Sequence, residues 1–186
     1  MSEPARVPIL STPRLRLSPF TPDDTAFVVV LVNDPDWLRY IGDRNVRSLE
    51  DAERYLRDGP MASYTRNGFG LLRVTLAGTG DPIGMCGILK RDALPEPDLG
   101  FAFLPRHRGQ GYAREAIDAV LGDARDRLGL DRVLAITSAD NSRSIAVLEK
   151  TGFRFERSDR LAGDAPPVRI YARLDTTGRV RYERPP

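Results

Sequence analysis

One cysteine, one histidine and one tryptophan in 186 residues narrow the chemistry at once. A single thiol, Cys86, allows no disulfide within the chain. With one histidine beside it, a zinc site would rest on carboxylates, so no metal is expected. Charge of one sign is lacking too: 28 Lys and Arg face 26 Asp and Glu, a net charge of +2, which gives no nucleic-acid footprint. No apolar run approaches the roughly 20 residues that cross a bilayer. The opening "MSEPARVP" has no apolar secretory core, so no membrane partner and a cytoplasmic location are expected. What is present is 41% hydrophobic residues, enough to build one folded α/β domain with a full core. Within "PIGMCGIL" Cys86 reads as a buried structural thiol, since no base is placed to activate it.

Along the chain, "PRLRLSPF" alternates polar and apolar and predicts a first strand over 13–20. "TPDDTAFVVVLVN" predicts a helix with Thr21 as N-cap, Pro22 at its first position and acids in its first turn. "DPDWLRYI" and "SLEDAERYLRD" predict short helical pieces, the second opened by Ser48 and Asp51 and ended by Gly59-Pro60. "FGLLRVTLA" and "PIGMCGILK" form a hairpin across "GTGD", and "PDLGFAFL" a third strand. Apolar residues at helical spacing from Ala113 to Leu128 predict one long amphipathic helix starting at Gly111. "RVLAITS" reads as a buried strand, and "NSRSIAVLEKTG" as a helix capped by Asn141 and stopped by Gly152. "FRFERSD" and "VRIYARLD" close the fold as an antiparallel pair. The order β-α-α-β-β-β-α-β-α-β-β predicts one domain over 11–175, with residues 1–10 a flexible N-terminus and 176–186 a loose tail.

The stretch "FLPRHRGQGYAREA", residues 103–116, sets three arginines and two glycines between a strand and a helix. The first amides of a helix have no partners within it, and its dipole places partial positive charge there. Gly109 and Gly111 allow a ligand to approach the backbone, and Arg106 and Arg108 reinforce the sign. The combination is either a phosphate cradle or an ordinary strand-to-helix turn with surface arginines. A dinucleotide fingerprint is disfavoured: Arg114 stands where the third small residue belongs, and Asp131 lies before its strand rather than at its end. The Gly-Lys-Ser/Thr of a P-loop is absent.

"RGQGYA" resembles the Q/R-x-x-G-x-G/A signature of the GNAT acetyltransferase superfamily, with Arg108, Gly111 and Ala113 at the defining positions. "TPRLRLSPFTPDD", "PIGMCGI", "DLGFAFLPRHRGQGYAREA" and "NSRSIAVLEKTGFRFE" follow in the family's order, and the first is similar to the opening of the branch that acetylates N-terminal alanines of ribosomal proteins. The resemblance implies an α/β (α+β) fold whose mixed, mostly antiparallel sheet is flanked by helices and splays at its central strands. It implies acetyl-CoA as cosubstrate and an amine as acceptor, either a protein N-terminus or a small molecule, and family precedent allows a homodimer. The pyrophosphate would lie on the amides of Arg108, Gly109, Gln110, Gly111, Tyr112 and Ala113. The pantetheine arm would run along the strand near Phe101 and Phe103, and Asn141 would touch it while capping its helix.

Transfer to an amine requires loss of the ammonium proton, and the departing thiolate benefits from a proton donor. Many relatives donate it from a tyrosine seven residues after the motif asparagine, a position that is Leu148 in this chain. By resemblance to the ribosomal-protein branch, Ser144 is the substitute; as a serine in a helix's first turn it also needs no special role. Asp98, two residues before the strand's Gly100, is the candidate base through water, its alternative being a solvated carboxylate at a strand start. Glu115 is expected to support the loop, and His107, inside the turn, to shape it. Trp37 is expected in the core, with Tyr40 near an acceptor. The competing function is a CoA-binding module without catalysis, for which the missing tyrosine is the main support.

Overall fold

The computed structural model describes residues 7–163 and 165–174. Among these residues eight strands form one sheet in the order β1-β2-β3-β4-β5-β6-β8-β7. They are β1 (Leu10–Ser11), β2 (Leu15–Pro19), β3 (Leu71–Leu76), β4 (Pro82–Leu89), β5 (Asp98–Phe103), β6 (Arg132–Thr137), β7 (Arg154–Asp159) and β8 (Val168–Leu174). Among the described residues six α-helices accompany them: α1 (Thr25–Val32), α2 (Pro35–Tyr40), α3 (Leu49–Leu56), α4 (Ala62–Asn67), α5 (Tyr112–Asp126) and α6 (Ser142–Lys150). Every pairing is antiparallel except that of β5 with β6. This is the mixed, mostly antiparallel α/β sheet that the sequence leads one to expect. Among the described residues no helix is long and apolar enough to cross a membrane.

The two larger of three hydrophobic clusters lie on opposite faces of the sheet. Ala116, Ile117, Val120, Leu121 and Ala124 of α5 and Leu148 of α6 pack against Leu15, Leu17, Val74, Cys86 and Leu99. On the other face, α1 to α3 contribute Val28, Leu31, Trp37, Ala52 and Leu56, which pack with Met85 and Leu104. The caps follow the residues. Ser48 accepts the Asp51 amide at 3.1 Å while Asp51 takes the Ser48 amide at 3.1 Å, and Asp24 takes the Thr21 amide at 2.8 Å.

Two local expectations are corrected. Gly59-Pro60 does not end the third helix: the chain passes through one wide turn in which the Ala62 amide reaches the Arg57 carbonyl. A turn with i→i+5 spacing accommodates a proline that has no N–H to contribute. The helical run then stops at Gly68, whose φ is +72°. The N-terminal segment is not loose up to residue 10, because Val7 and Leu10 pack against the main core and Leu10–Ser11 pair with Leu17 and Arg16. The tail 176–186 lies outside the described residues.

The contact of β5 with β6 positions the site. These strands are in register only at Asp98↔Leu134 and Leu99↔Ala135, yet both continue for several residues, β5 to Phe103 and β6 to Thr137. Beyond Leu99 they diverge, leaving a V-shaped gap whose arms end at the starts of α5 and α6.

Candidate active site

Strand alternation determines which backbone groups face the gap. The Pro97 carbonyl accepts the Leu134 amide at 3.0 Å, on the β6 side, whereas the Leu104 amide goes to the Ile83 carbonyl at 2.9 Å, on the β4 side. Hydrogen-bonding direction alternates along a strand, so the amide and carbonyl of Phe101 and the amide of Phe103 turn into the gap. The Phe103 ring is buried and the Phe101 ring half-buried, both in the α5-side core. These two residues therefore offer main chain, not side chain, to anything bound there.

At the end of β5 the chain makes a short turn, Pro105–His107, and enters α5 through Gly109 (φ +74°) and Gly111 (φ +83°). Both are left-handed positions that an L side chain occupies only at a cost. Among the described residues the amides of Gly109, Gln110, Gly111, Tyr112, Ala113 and Arg114 meet no acceptor; the first α5 amide bonded back is that of Glu115, to the Gly111 carbonyl at 3.1 Å. Six consecutive free amides at the positive end of a 15-residue helix form an arrangement that suits an anion.

A carboxylate fixes the cradle from below. Glu115 accepts the Thr12 hydroxyl at 2.6 Å, the Arg14 amide at 3.0 Å and the Arg14 Nε–H at 2.6 Å. Burial works against its charge, but the bonds from Thr12 and Arg14 outweigh it and hold the carboxyl below its ordinary range. Arg14 also donates to the Gln110 carbonyl at 3.0 Å and lies 4.7 Å over the Tyr112 ring, a cation–π contact. His107 accepts the Arg106 Nε–H at 2.9 Å on Nε2; desolvation, then the Arg106 charge, hold it below the ordinary histidine pKa.

Arg108 departs from expectation. Its amide is bonded to the Pro105 carbonyl at 3.2 Å. Its guanidinium donates through Nε to the Phe103 carbonyl at 2.8 Å, through Nη1 to Asp36 at 2.6 Å and through Nη2 to Asp34. Arg108 thus adds neither a free amide nor a free charge to the cradle, and the free set runs from Gly109 to Arg114 instead of Arg108 to Ala113. Nothing in the sequence pointed to Asp34 or Asp36, which lie more than seventy positions away from Arg108 and read locally as helix-start acids.

On the other arm of the gap, the Asn141 side chain accepts the Ser144 amide at 3.1 Å and caps α6. Ser144 is half-buried in the first turn, and its hydroxyl has no partner among the described residues. Leu148 is fully buried in the α5-side core. Asp98 is also fully buried, at the closed end of the V, with both oxygens on Arg91 Nε at 3.0 and 2.9 Å. A solvated strand-start carboxylate is therefore excluded. Burial raises its pKa and the Arg91 charge opposes the rise. Trp37 is buried, its indole N–H on the Gly42 carbonyl at 3.2 Å. Tyr40 lies under Arg39, 4.9 Å from the guanidinium. Cys86 is buried, and desolvation pushes its thiol pKa well up.

Residues 14–154 match the model of the acetyltransferase (GNAT) domain. The chain belongs to this family. It is accordingly an acetyl-CoA-dependent N-acetyltransferase, transferring acetyl to an amine. The uncharacterized N-acetyltransferase YoaA of Bacillus subtilis is 28% identical over 151 residues, covering 80% of this chain and 84% of YoaA. A solved acetyltransferase from Agrobacterium tumefaciens is 29% identical, with a TM-score of 0.75 over 91% of this chain and 95% of its own. RimL, a ribosomal L7/L12 alpha-N-protein acetyltransferase, shares the fold at 19% identity, with a TM-score of 0.76 over 91% and 95% of the two chains. In this GNAT chain the residues present fit the cosubstrate: a row of free amides for a pyrophosphate, and an open strand edge for an amide-bearing arm.

Proposed function

We propose that this N-acetyltransferase acetylates a primary amine, on a protein N-terminus or a small molecule, by direct attack within a ternary complex in the cytoplasm. The observation that carries the reading is the row of six unpartnered amides from Gly109 to Arg114, placed where the gap between β5 and β6 opens. Acetyl-CoA supplies a thioester whose carbonyl carbon the amine attacks. The chain's own part is to bind, orient and move protons. The amides at the α5 start hold the pyrophosphate, and the open edge at Phe101 and Phe103 aligns the arm. A strand amide such as that of Phe101 is the donor for the tetrahedral oxyanion.

Holding the amine against the thioester contributes by proximity. Ser144 is the side chain for the departing sulfur, since its hydroxyl is uncommitted and Leu148 is sealed in the core. Asp98, with a carboxyl pKa raised by burial, accepts the amine proton through water. Asn141 orients Ser144 by bonding its amide and touches the arm.

The test is a thermal shift with acetyl-CoA, with NAD as comparator, followed by thiol release in the presence of peptides beginning with alanine or serine and of small primary amines. A ligand that binds only the folded state adds about 2.7 kcal/mol of stability at a hundredfold excess over Kd. A shift with acetyl-CoA alone and thiol release with one acceptor class are expected. No shift would overturn the cradle, and a shift without turnover on any amine would leave a binding module.

A further inference from the structure

We infer that Arg108 is a positioning residue that couples the occupied cradle to helix α2 on the acceptor side, and is not a ligand of the pyrophosphate. The inference rests on the acetyl-CoA reading given above. The gap between β5 and β6 opens on both faces of the sheet. α5 and α6 cover one face and bring the cradle with them. α2 belongs to the other, where Trp37 packs with Leu104 and Ala102 at the end of β5. That leaves the α2 face for the amine.

Arg108 joins the two faces with all three of its donor directions. Nε holds the Phe103 carbonyl, the last of the splayed strand, at 2.8 Å. The two terminal nitrogens grip Asp34 and Asp36 at the start of α2. Charge-assisted bonds in a fixed fork are directional as well as strong. Asp34 is nearly buried and also accepts the Asp36 amide at 3.2 Å, so the grip includes the helix cap itself.

Asp36 extends the linkage across the gap. The oxygen that takes Arg108 Nη1 also accepts Arg143 Nη1 of α6 at 2.9 Å, one position from Ser144. A second pair, Arg39 to Asp140 at 2.9 Å, runs parallel to it. Both outer pairs involve exposed side chains, and such pairs hold weakly. α2 is therefore fixed firmly to the cradle arm and lightly to the Ser144 arm. Filling the cradle orders residues next to Arg108, and Arg108 passes that order to α2. This is a coupling between two sites through one shared set of contacts.

The experiment measures acetyl-CoA affinity by calorimetry and hydrogen exchange of residues 35–40, with and without acetyl-CoA, in the wild type, Arg108→Gln and Asp36→Asn. Acetyl-CoA is expected to slow exchange at 35–40 in the wild type about fivefold or more, the scale of a typical coupling. In Arg108→Gln that slowing disappears, and in Asp36→Asn, which keeps the Arg108–Asp34 pair, it is reduced, while in both the dissociation constant for acetyl-CoA stays within about threefold and exchange at 109–114 is still slowed. A tenfold loss of acetyl-CoA affinity in Arg108→Gln alone would overturn the inference and make Arg108 a phosphate ligand. Equal slowing at 35–40 in all three proteins would overturn it as well, as would no slowing in a wild type that binds. A wild type that binds no acetyl-CoA would take down the underlying reading too, and the calorimetric titration alone reveals that case.

Discussion

Replacing Glu115 with glutamine separates a scaffold carboxylate from a catalytic one. The amide oxygen of Glu115→Gln still accepts the Thr12 hydroxyl and the Arg14 amide, and what is lost is the charge facing Arg14 Nε. A hydrogen bond to a charged group contributes about 1.5–3 kcal/mol. The Arg14 side chain is 48% exposed, so water replaces part of that and the expected loss is about 1 kcal/mol. For a chain of this size the melting temperature falls by about 2–4 °C. The sign with pH follows from the lowered carboxyl pKa. The stabilisation is complete above the unfolded pKa of about 4.3 and disappears as pH falls through the folded value. The melting curves of wild type and variant therefore stay apart at neutral pH and draw together as pH falls below the unfolded pKa and through the lowered folded one. Arg14 Nη2 would stand 3.2 Å from a Cβ at Gly111, and freed of its counter-charge it leaves the cradle more positive. Acetyl-CoA affinity is thus unchanged or up to about twofold tighter, since about 0.4 kcal/mol is all a half-exposed charge adds. Calorimetry and differential scanning at pH 7 and pH 4 check both numbers. A large fall in kcat with an unchanged melting temperature would refute the scaffold role and make Glu115 part of the chemistry.

Gly111→Val places a β-branched residue at φ +83° and is expected to cost about 1–2 kcal/mol of stability and to abolish the thermal shift with acetyl-CoA; a retained shift would count against the cradle. Ser144→Ala removes a hydroxyl with no partner among the described residues, so denaturant melts should move by less than about 0.5 kcal/mol, whereas turnover falls about a hundredfold at unchanged acetyl-CoA affinity. Unchanged turnover would remove Ser144 from the chemistry. Cys86, buried with its thiol pKa pushed up, is expected to resist iodoacetamide in the native protein and to react only on unfolding. Labelling of the native protein at neutral pH by mass spectrometry would contradict its burial.

Legibility in the sequence tracked the separation of the interacting groups. Ser48 with Asp51, Asn141 with Ser144, and the period of α5 are local, and each stands in the structure where the spacing indicated. The glycine turn into α5 was legible for the same reason, because Gly109, Gly111 and the helix start lie within one short segment. Arg108 was misread because its partners, Asp34 and Asp36, are 74 and 72 positions away, and an arginine in a glycine-rich turn carries no mark of which carboxylate it will meet. Asp98 likewise reads as a polar strand start, and only the packing of β5 against β6 and the arrival of Arg91 show it to be fully buried. Pro60 was taken for a helix end because the rule assumes α geometry, which a single wide turn relaxes.

The most direct test of the account is a nitrogen-15 NMR titration with acetyl-CoA that follows the amides one by one. The account predicts the largest shifts at Gly109, Gln110, Gly111, Tyr112, Ala113 and Arg114, a further shift at Phe101, and a small one at the already bonded amide of Arg108. Saturable binding that leaves 109–114 unmoved and shifts another part of the chain would contradict it.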